Sequence, residues 1–509
     1  MSADLLLGLD VGTGGTKAAL YDAQGALRGS ATIPSRLHHP AARAVEQDPG
    51  EMEEELHAAI RGALADAKAA GSDVAALAVD GQMAGLMFVD ASGAAVGPYD
   101  SWLDTRCQPQ VEQMRSRAER IIALTGGFPT YAHGPKLLWW QEQRAAELER
   151  AVAFVMPSAY LAGRLVGLAG SEAFIDPTYL HFSGLADTAA ERWSTELVST
   201  FGVPDRLLPR IVQPWELVGE VTREAAVATG LRAGTPVAAG CGDTAAGLLG
   251  AGVVRPGTAL DVAGSASVLA ICVPRFEPDP SATLFTARTV LEDTYYSLGY
   301  VQGGGLNLGW FRELFGKDLS ELGADDAFAQ LEAEAAAVAP GAAGVRFAPH
   351  LGGRVTPNDP RQRGLLAGFT WQHDRGHVYR AVLEAVAYEY GLYVRAVRDL
   401  HRDLGALTVR AVGGGSGSNL WCQIKADVLG VDYRPLVRQE GGALGSALIA
   451  GHAVGLIADM AASAERFNEL QAGYRPDARS AKAYEGAVDA YQELLTAAGS
   501  LGASGQVPA

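Results

Sequence analysis

The sequence predicts an α/β fold built twice over, on three observations. Short apolar runs alternate with helix-period segments along the whole chain. A strand–turn–strand unit near the start returns in the second half with an Asp at the same place. The length, 509 residues, exceeds what one hydrophobic core usually serves, so two domains are expected. Hairpins coexist with longer crossovers, which predicts mixed rather than purely parallel sheets.

Taken in order, residues 5–10 (LLLGLD) read as a buried strand and 17–21 (KAALY) as its partner across a Gly-rich turn. Residues 51–70 carry helical periodicity up to Gly71. Strands follow at 75–79 and 86–89, joined by the turn 80–85. Residues 121–143 and 145–162 read as mostly helical, interrupted by Gly126-Gly127-Phe128-Pro129. A strand at 236–240 leads into a helix over 242–252. The pattern then restarts, with strands at 257–262 and 268–273 around Ala263-Gly264-Ser265-Ala266. Leu9-Asp10-Val11-Gly12-Thr13-Gly14 and Leu260-Asp261-Val262-Ala263-Gly264-Ser265 both put an Asp at a strand end before a small-residue turn. Six residues can match by chance; the shared strand–turn–strand context is what a duplicated domain leaves. Helices at 308–315, 376–400, 418–429 and 441–453, with a strand at 407–412, complete the order. The Gly/Ser-rich end is expected to be disordered.

Composition excludes several function classes. A net charge of -17, with no Lys/Arg cluster, argues against a nucleic-acid partner. The four cysteines are scattered, without a CxxC pair, and no HExxH spacing occurs, so a structural zinc site is not expected. Free thiols suit a reducing cytoplasm. The most apolar windows, such as 245–254, are too short or too Gly-rich to span a bilayer, and no basic leader precedes the first strand. A cytoplasmic protein without a membrane partner is the expectation.

Four small-residue turns carry the chemistry. In Asp10-Val11-Gly12-Thr13-Gly14-Gly15-Thr16-Lys17, glycines let backbone N–H groups approach a phosphate, Thr13 and Thr16 add hydroxyls, and Lys17 adds a charge. Asp10, at the strand end, is placed to hold Mg²⁺ through water. The motif is neither GxxxxGK[ST] nor a GxGxxG opening a helix. The second turn, 239–247, sets Asp243 among small residues between strand and helix. An N-cap explains such an Asp as readily as a general base that accepts a hydroxyl proton. Gly413-Gly414-Gly415-Ser416-Gly417-Ser418-Asn419 offers a flat glycine surface to an aromatic ring, with Asn419 for nucleobase edges. Gly303-Gly304-Gly305-Leu306-Asn307 precedes a helix and could seat phosphate or ribose, or simply cap it. Asp80-Gly81-Gln82-Met83-Ala84-Gly85 and Trp102-Leu103-Asp104-Thr105-Arg106 combine amide, ring and charge in the way polyols are bound; singly, a core Trp and a surface ion pair explain them as well.

In this order the segments resemble the FGGY family of carbohydrate kinases, and within it the xylulokinases, over residues 5–495. The most specific pieces are 9–17, 240–250, 413–430 (GGGSGSNLWCQIKADVLG) and 440–450 (EGGALGSALIA). The resemblance implies a duplicated actin-like (ribonuclease H-like) fold with two lobes around a central cleft. Residues 1–246 would form the sugar-binding lobe, 247–497 the ATP-binding lobe and 498–509 a disordered tail. It implies ATP and Mg²⁺, a small sugar as substrate, and allows a homodimer. Asp243 matches the catalytic Asp and Asp10 the metal-associated acid, both facing Mg²⁺. Gly12, Thr13, Gly14 and Lys17 match the first phosphate loop, Gly264 and Ser265 the second, and Gly414, Gly415 and Asn419 the adenosine segment, with Gly304 and Asn307 also on the nucleotide side. Gln82, Met83, Trp102, Arg106 and Tyr131 fall on sugar-facing positions, with Asp243.

Two departures fall on the acceptor side. Xylulokinases typically read Gln-Met-His-Gly where this chain has Gln82-Met83-Ala84-Gly85, and Thr244 follows the base where Asn or Gln is usual. Ala84 removes an imidazole, and His133 is the expected replacement donor. The implied reaction is transfer of the γ-phosphoryl group to a terminal hydroxyl of D-xylulose or a related ketose. Another ketose or a polyol such as ribulose, erythritol or glycerol is the alternative. A non-catalytic actin-fold sensor of sugar or nucleotide would need neither Asp10 nor Asp243. A nicotinamide oxidoreductase would need a GxGxxG turn opening a helix, which is absent.

Overall fold

A computed structural model describes residues 4–319, 321–438 and 441–504. Its first lobe is a six-stranded mixed sheet. β1 (Leu5–Val11), β2 (Gly15–Tyr21) and β3 (Leu27–Pro34) form an antiparallel meander. β4 (Val74–Gly81) and β6 (Pro236–Gly242) add in parallel on the other side of β1, and β5 (Leu217–Glu220) closes the edge against β6. The second lobe repeats this plan. β7 (Thr258–Ala263) and β8 (Ser267–Val273) form a hairpin that β9 (Phe285–Arg288) and β10 (Tyr295–Val301) extend. β11 (Thr408–Val412) and β12 (Asp432–Pro435) add in parallel beside β7. β1 and β7 thus occupy the same place in two like sheets, and Asp10 and Asp261 stand at matching strand ends.

The central strands are buried because helices cover the sheets, while the edge strands β3 and β5 stay partly exposed. α1 (Pro49–Ala67) packs on β2 and β3; its N-cap Asp48 accepts from Gly50 and Glu51 N–H, and it ends on Lys68 in a left-handed conformation. The periodicity toward Gly71 therefore overran the helix. α2 (His133–Gln143) and α3 (Pro157–Val166) follow. Between them the expected helix over 145–162 is broken by a strand, Ala153–Val155, which pairs with Met87–Val89. A fully buried apolar triplet serves either structure, so periodicity could not separate them. In the second lobe α6 (Arg375–Leu400) runs through the core.

The lobes meet through two crossed helices, α4 (Asp243–Gly250) and α8 (Gly442–Ala453). α8 leaves the second lobe and lies on β1 of the first. Gly8 makes this approach possible, because a Cβ there would run into the Ala443 carbonyl. The chain ends in α9 (Ala487–Ser504), whose Ala498 is buried, so residues 498–504 are helical rather than a loose tail. The expected tail at 505–509 lies outside the described residues. Among the described residues no helix is long and apolar enough to cross a membrane.

Candidate active site

β6 runs directly into α4, and the turn decides what Asp243 does. Gly242 is the N-cap and Asp243 the first helical residue, with no side-chain capping bond. Its carboxylate accepts one side-chain bond, from the Thr244 hydroxyl at 3.1 Å. Capping is therefore not its role. Asp243 instead lines a cavity of about 510 Å³ between the lobes. The turn is held from behind: Gly242 N–H donates to Thr178 Oγ1 at 2.9 Å, and Thr178 donates to Asp176 at 2.6 Å. Burial pushes Asp176 up to about 7.

Three carboxylates converge here. Asp10 on β1 and Asp80 on β4 are direct neighbours in parallel register. A Cβ on Gly442, at the start of α8, would lie 2.7 Å from Asp10 Oδ2 and 3.3 Å from Asp80 Oδ1, so both acids aim at that helix start. Burial raises Asp80 well above the ordinary range, and the charges of Asp10 and Asp243 add to it; Ser446, donating at 2.6 Å, opposes. Asp10 is raised by burial, against the pull of Asp80 and Lys17. Burial, then Asp10, pushes Asp243 up to about 7, where a general base for neutral pH belongs. Lys17 faces Asp10 across the β1–β2 ladder. Asp80 Oδ1 is buried with no donor, and mutually repelling acids around such an oxygen fit a bound cation. Among the described residues no group of three or more His, Cys, Asp or Glu could hold a metal ion by itself. A cation here would need water or phosphate oxygens too, which is the habit of Mg²⁺.

The sugar-side residues divide. Met83, Trp102 and Tyr131 line the cavity, as does Ala84. Gln82 does not. It is buried behind the wall, donating to Gln47 at 2.8 Å and accepting from Thr13 at 3.1 Å. Thr13, expected at the phosphates, lines the sugar cavity and also accepts from Trp102 Nε1 at 2.8 Å, so its proton is committed to Gln82. Arg106 likewise lies outside the cavity lining. Asp104, Asp100 and Glu46 hold it at 2.7–2.8 Å, and it lies over the Trp139 ring. His133, the expected stand-in for the imidazole absent at Ala84, is fully buried and bonds the Met83 carbonyl at 2.5 Å. Burial lowers it to about 4, so it stays neutral and braces the wall from outside.

On the other side, three turns adjoin in the second lobe. The turn at Gly264-Ser265 touches the one at Gly413, and its carbonyls accept from Gly305 and Leu306 N–H at 2.9 Å. Two first-turn donors of α5 (Gly304–Phe315), Gly305 and Leu306, are therefore engaged by protein. Asn307 is buried and donates to the Pro349 carbonyl at 2.8 Å. Gly414 and Gly415 form a short 3₁₀ turn, with Gly415 against Trp421. Asn419 opens α7 (Asn419–Leu429), is exposed, and accepts from the Tyr474 hydroxyl at 2.5 Å. Gly12 and Gly14 shape the β1–β2 turn, where Gly12 N–H closes on the Gly15 carbonyl.

Comparison with known proteins agrees with this layout. The model of the FGGY family N-terminal domain matches residues 5–250, and that of its C-terminal domain matches 273–454. The chain belongs to the FGGY family of carbohydrate kinases. As a member it is a phosphotransferase with an alcohol group as acceptor and an actin-like two-lobed fold. It is similar to a xylulose kinase of Bacillus subtilis, at 26% identity over 96% of each chain. An autoinducer-2 kinase of Yersinia enterocolitica is 28% identical over 97% of this chain and 95% of that one. The crystal structure of a xylulose kinase from Rhodospirillum rubrum superposes with a TM-score of 0.88 at 28% identity, covering 98% of this chain and 100% of the other.

Sequence reasoning placed Asp80 in a sugar-side segment without a role of its own beside Asp10, and singled out none of His181, Tyr296 or Arg354. Asp80 could have been found, because it ends an apolar strand just as Asp10 does. The other three line the cavity and stand in stretches without a motif, so only the fold brings them together.

Proposed function

We propose that this FGGY kinase transfers the γ-phosphoryl group of ATP to a terminal hydroxyl of a small ketose, D-xylulose or a close relative. The observation that carries this is Asp243, free of any capping role, lining the interlobe cavity with its carboxyl near 7. It orients the acceptor hydroxyl and takes its proton as the O–P bond forms. Trp102 offers a ring face to the sugar, while Met83 and Tyr131 shape the wall. Gly12, Gly14 and Lys17 approach the phosphates from one lobe, and Gly264 and Ser265 from the other. Gly414, Gly415 and Asn419 receive adenosine. Asp10 and Asp243, with Asp80 beside them, would hold Mg²⁺, which when bound offsets phosphate charge. Residues 1–246 and 247–497 are the two lobes whose closure excludes water from the transfer.

Ala84 leaves the identity of the ketose less constrained than the reaction, and relatives named for autoinducer-2 keep other acceptors in view. A coupled ADP-release screen across ketopentoses, ketohexoses and polyols tests the reading. We expect at least one small ketose or polyol to raise ADP release more than tenfold over the ATP-only rate. ADP release that no acceptor stimulates would overturn it.

A further inference from the structure

Much of the cavity wall is apolar or already engaged, with Thr105, Thr130, Tyr300, Gln302 and Asn358 as further polar lining. Met83, Ala84, Leu103, Phe182, Phe285 and Leu298 contribute apolar surface. Thr13 is engaged with Gln82 and Trp102, and Tyr131 donates to Gln108. Arg354, the single guanidinium among the described lining residues, sends both Nε and Nη2 to Glu389 at 2.9 and 2.7 Å.

Two lining residues stand apart. His181, from the first lobe, is 3% exposed, and no protein group hydrogen-bonds its Nδ1. Tyr296, on β10 of the second lobe, is 0% exposed and its hydroxyl has no partner either. Their rings meet edge to face at 6.2 Å. His181 is clamped on Phe182 at 4.0 Å and set edge-on to Phe285 at 6.1 Å, so its orientation is fixed by packing. Most buried polar atoms in proteins are paired, and two unpaired neighbours in the wall of one cavity call for a ligand.

We propose that His181 and Tyr296 form a hydrogen-bonding pair, one from each lobe, that recognises a hydroxyl or carbonyl of an uncharged sugar beside the reacting hydroxyl. This deepens the kinase reading and rests on it. Burial holds the His181 ring neutral, down at about 3, so it offers one donor and one acceptor rather than a charge. Tyr296 and Asp243 line the same cavity; burial raises the Tyr296 hydroxyl, and the charge of Asp243 adds to it. Because the two residues come from different lobes, the pair is complete only when the cleft holds both together.

The test uses the acceptor found by the ADP-release screen and its set of monodeoxy analogues, with His181→Ala, His181→Asn and Tyr296→Phe. We expect His181→Ala to lower kcat/KM for the acceptor about 30-fold or more, chiefly through KM, with the KM for ATP within twofold. His181→Asn, which keeps a donor and an acceptor, should recover part of the loss. One deoxy analogue should be poor with the wild type yet no poorer than the parent sugar with His181→Ala, which a structural role would not produce. Equal sensitivity of both enzymes to every deoxy analogue, or unchanged acceptor kinetics in both His181 variants, would overturn the pair. A wild type that phosphorylates no sugar would overturn the kinase reading first, and this inference with it.

Discussion

Asp10 and Asp261 occupy the same position in two like sheets and have opposite fates. Asp261 is fully buried and closed off: Lys425 donates to it at 2.5 Å, Tyr390 at 2.7 Å, and Tyr433 adds a third bond. Asp10 has Lys17 across the ladder, but its other neighbours are acids, Asp80 in register and Asp243 close enough to be raised by its charge. One lobe has satisfied its carboxylate with one lysine and two tyrosine hydroxyls. The other keeps an excess of negative charge at a cleft. Compensated charge makes structure, whereas uncompensated charge at a cavity is poised for a ligand.

The largest break in this comparison should come from the acid on the cavity itself. Asp243→Asn should lower kcat about 10³-fold in the coupled assay while ADP affinity, by calorimetry, stays within a few-fold. Residual turnover above a tenth of wild type would mean that another group takes the proton.

The two strand-end acids should then part in opposite directions. Lys425→Met leaves Asp261 charged and buried without its cation, which should cost about 3–5 kcal/mol of stability, read as a large drop in the denaturant midpoint. Asp10→Asn relieves repulsion, so stability should hold or rise while kcat falls about 100-fold. Loss of stability in both variants would show that the two acids are equally structural.

Much of the fold was legible because its signals are local. LLLGLD and KAALY on either side of a glycine turn make a hairpin whatever surrounds them, and the echo around Asp261 announced a second sheet. The strand at Ala153–Val155 was not legible, since three buried apolar residues have no period of their own. At the site, Asp243, Asp10, Met83, Trp102 and Tyr131 came from motifs. Gln82, Arg106, Asn307 and His133 have the right chemistry but lie one layer behind the surface they were expected to form. Sequence shows which groups are near a site; whether a side chain faces the cavity or its support depends on packing between segments far apart in the chain. His181 and Tyr296 are the converse case, lone residues that only the meeting of two lobes makes neighbours.

The central claim is that burial, with the charge of Asp10 added to it, sets the strength of the base, and the acid limb of the kcat/KM profile reads it directly. Asp243 accepts a proton only when ionised, so the rate should rise with pH, bend near 7 and stay level above it. In Asp10→Asn the nearby charge is gone and the bend should move to lower pH. A wild-type profile flat from pH 5 to 8, or a bend that stays near 7 in Asp10→Asn, would contradict it.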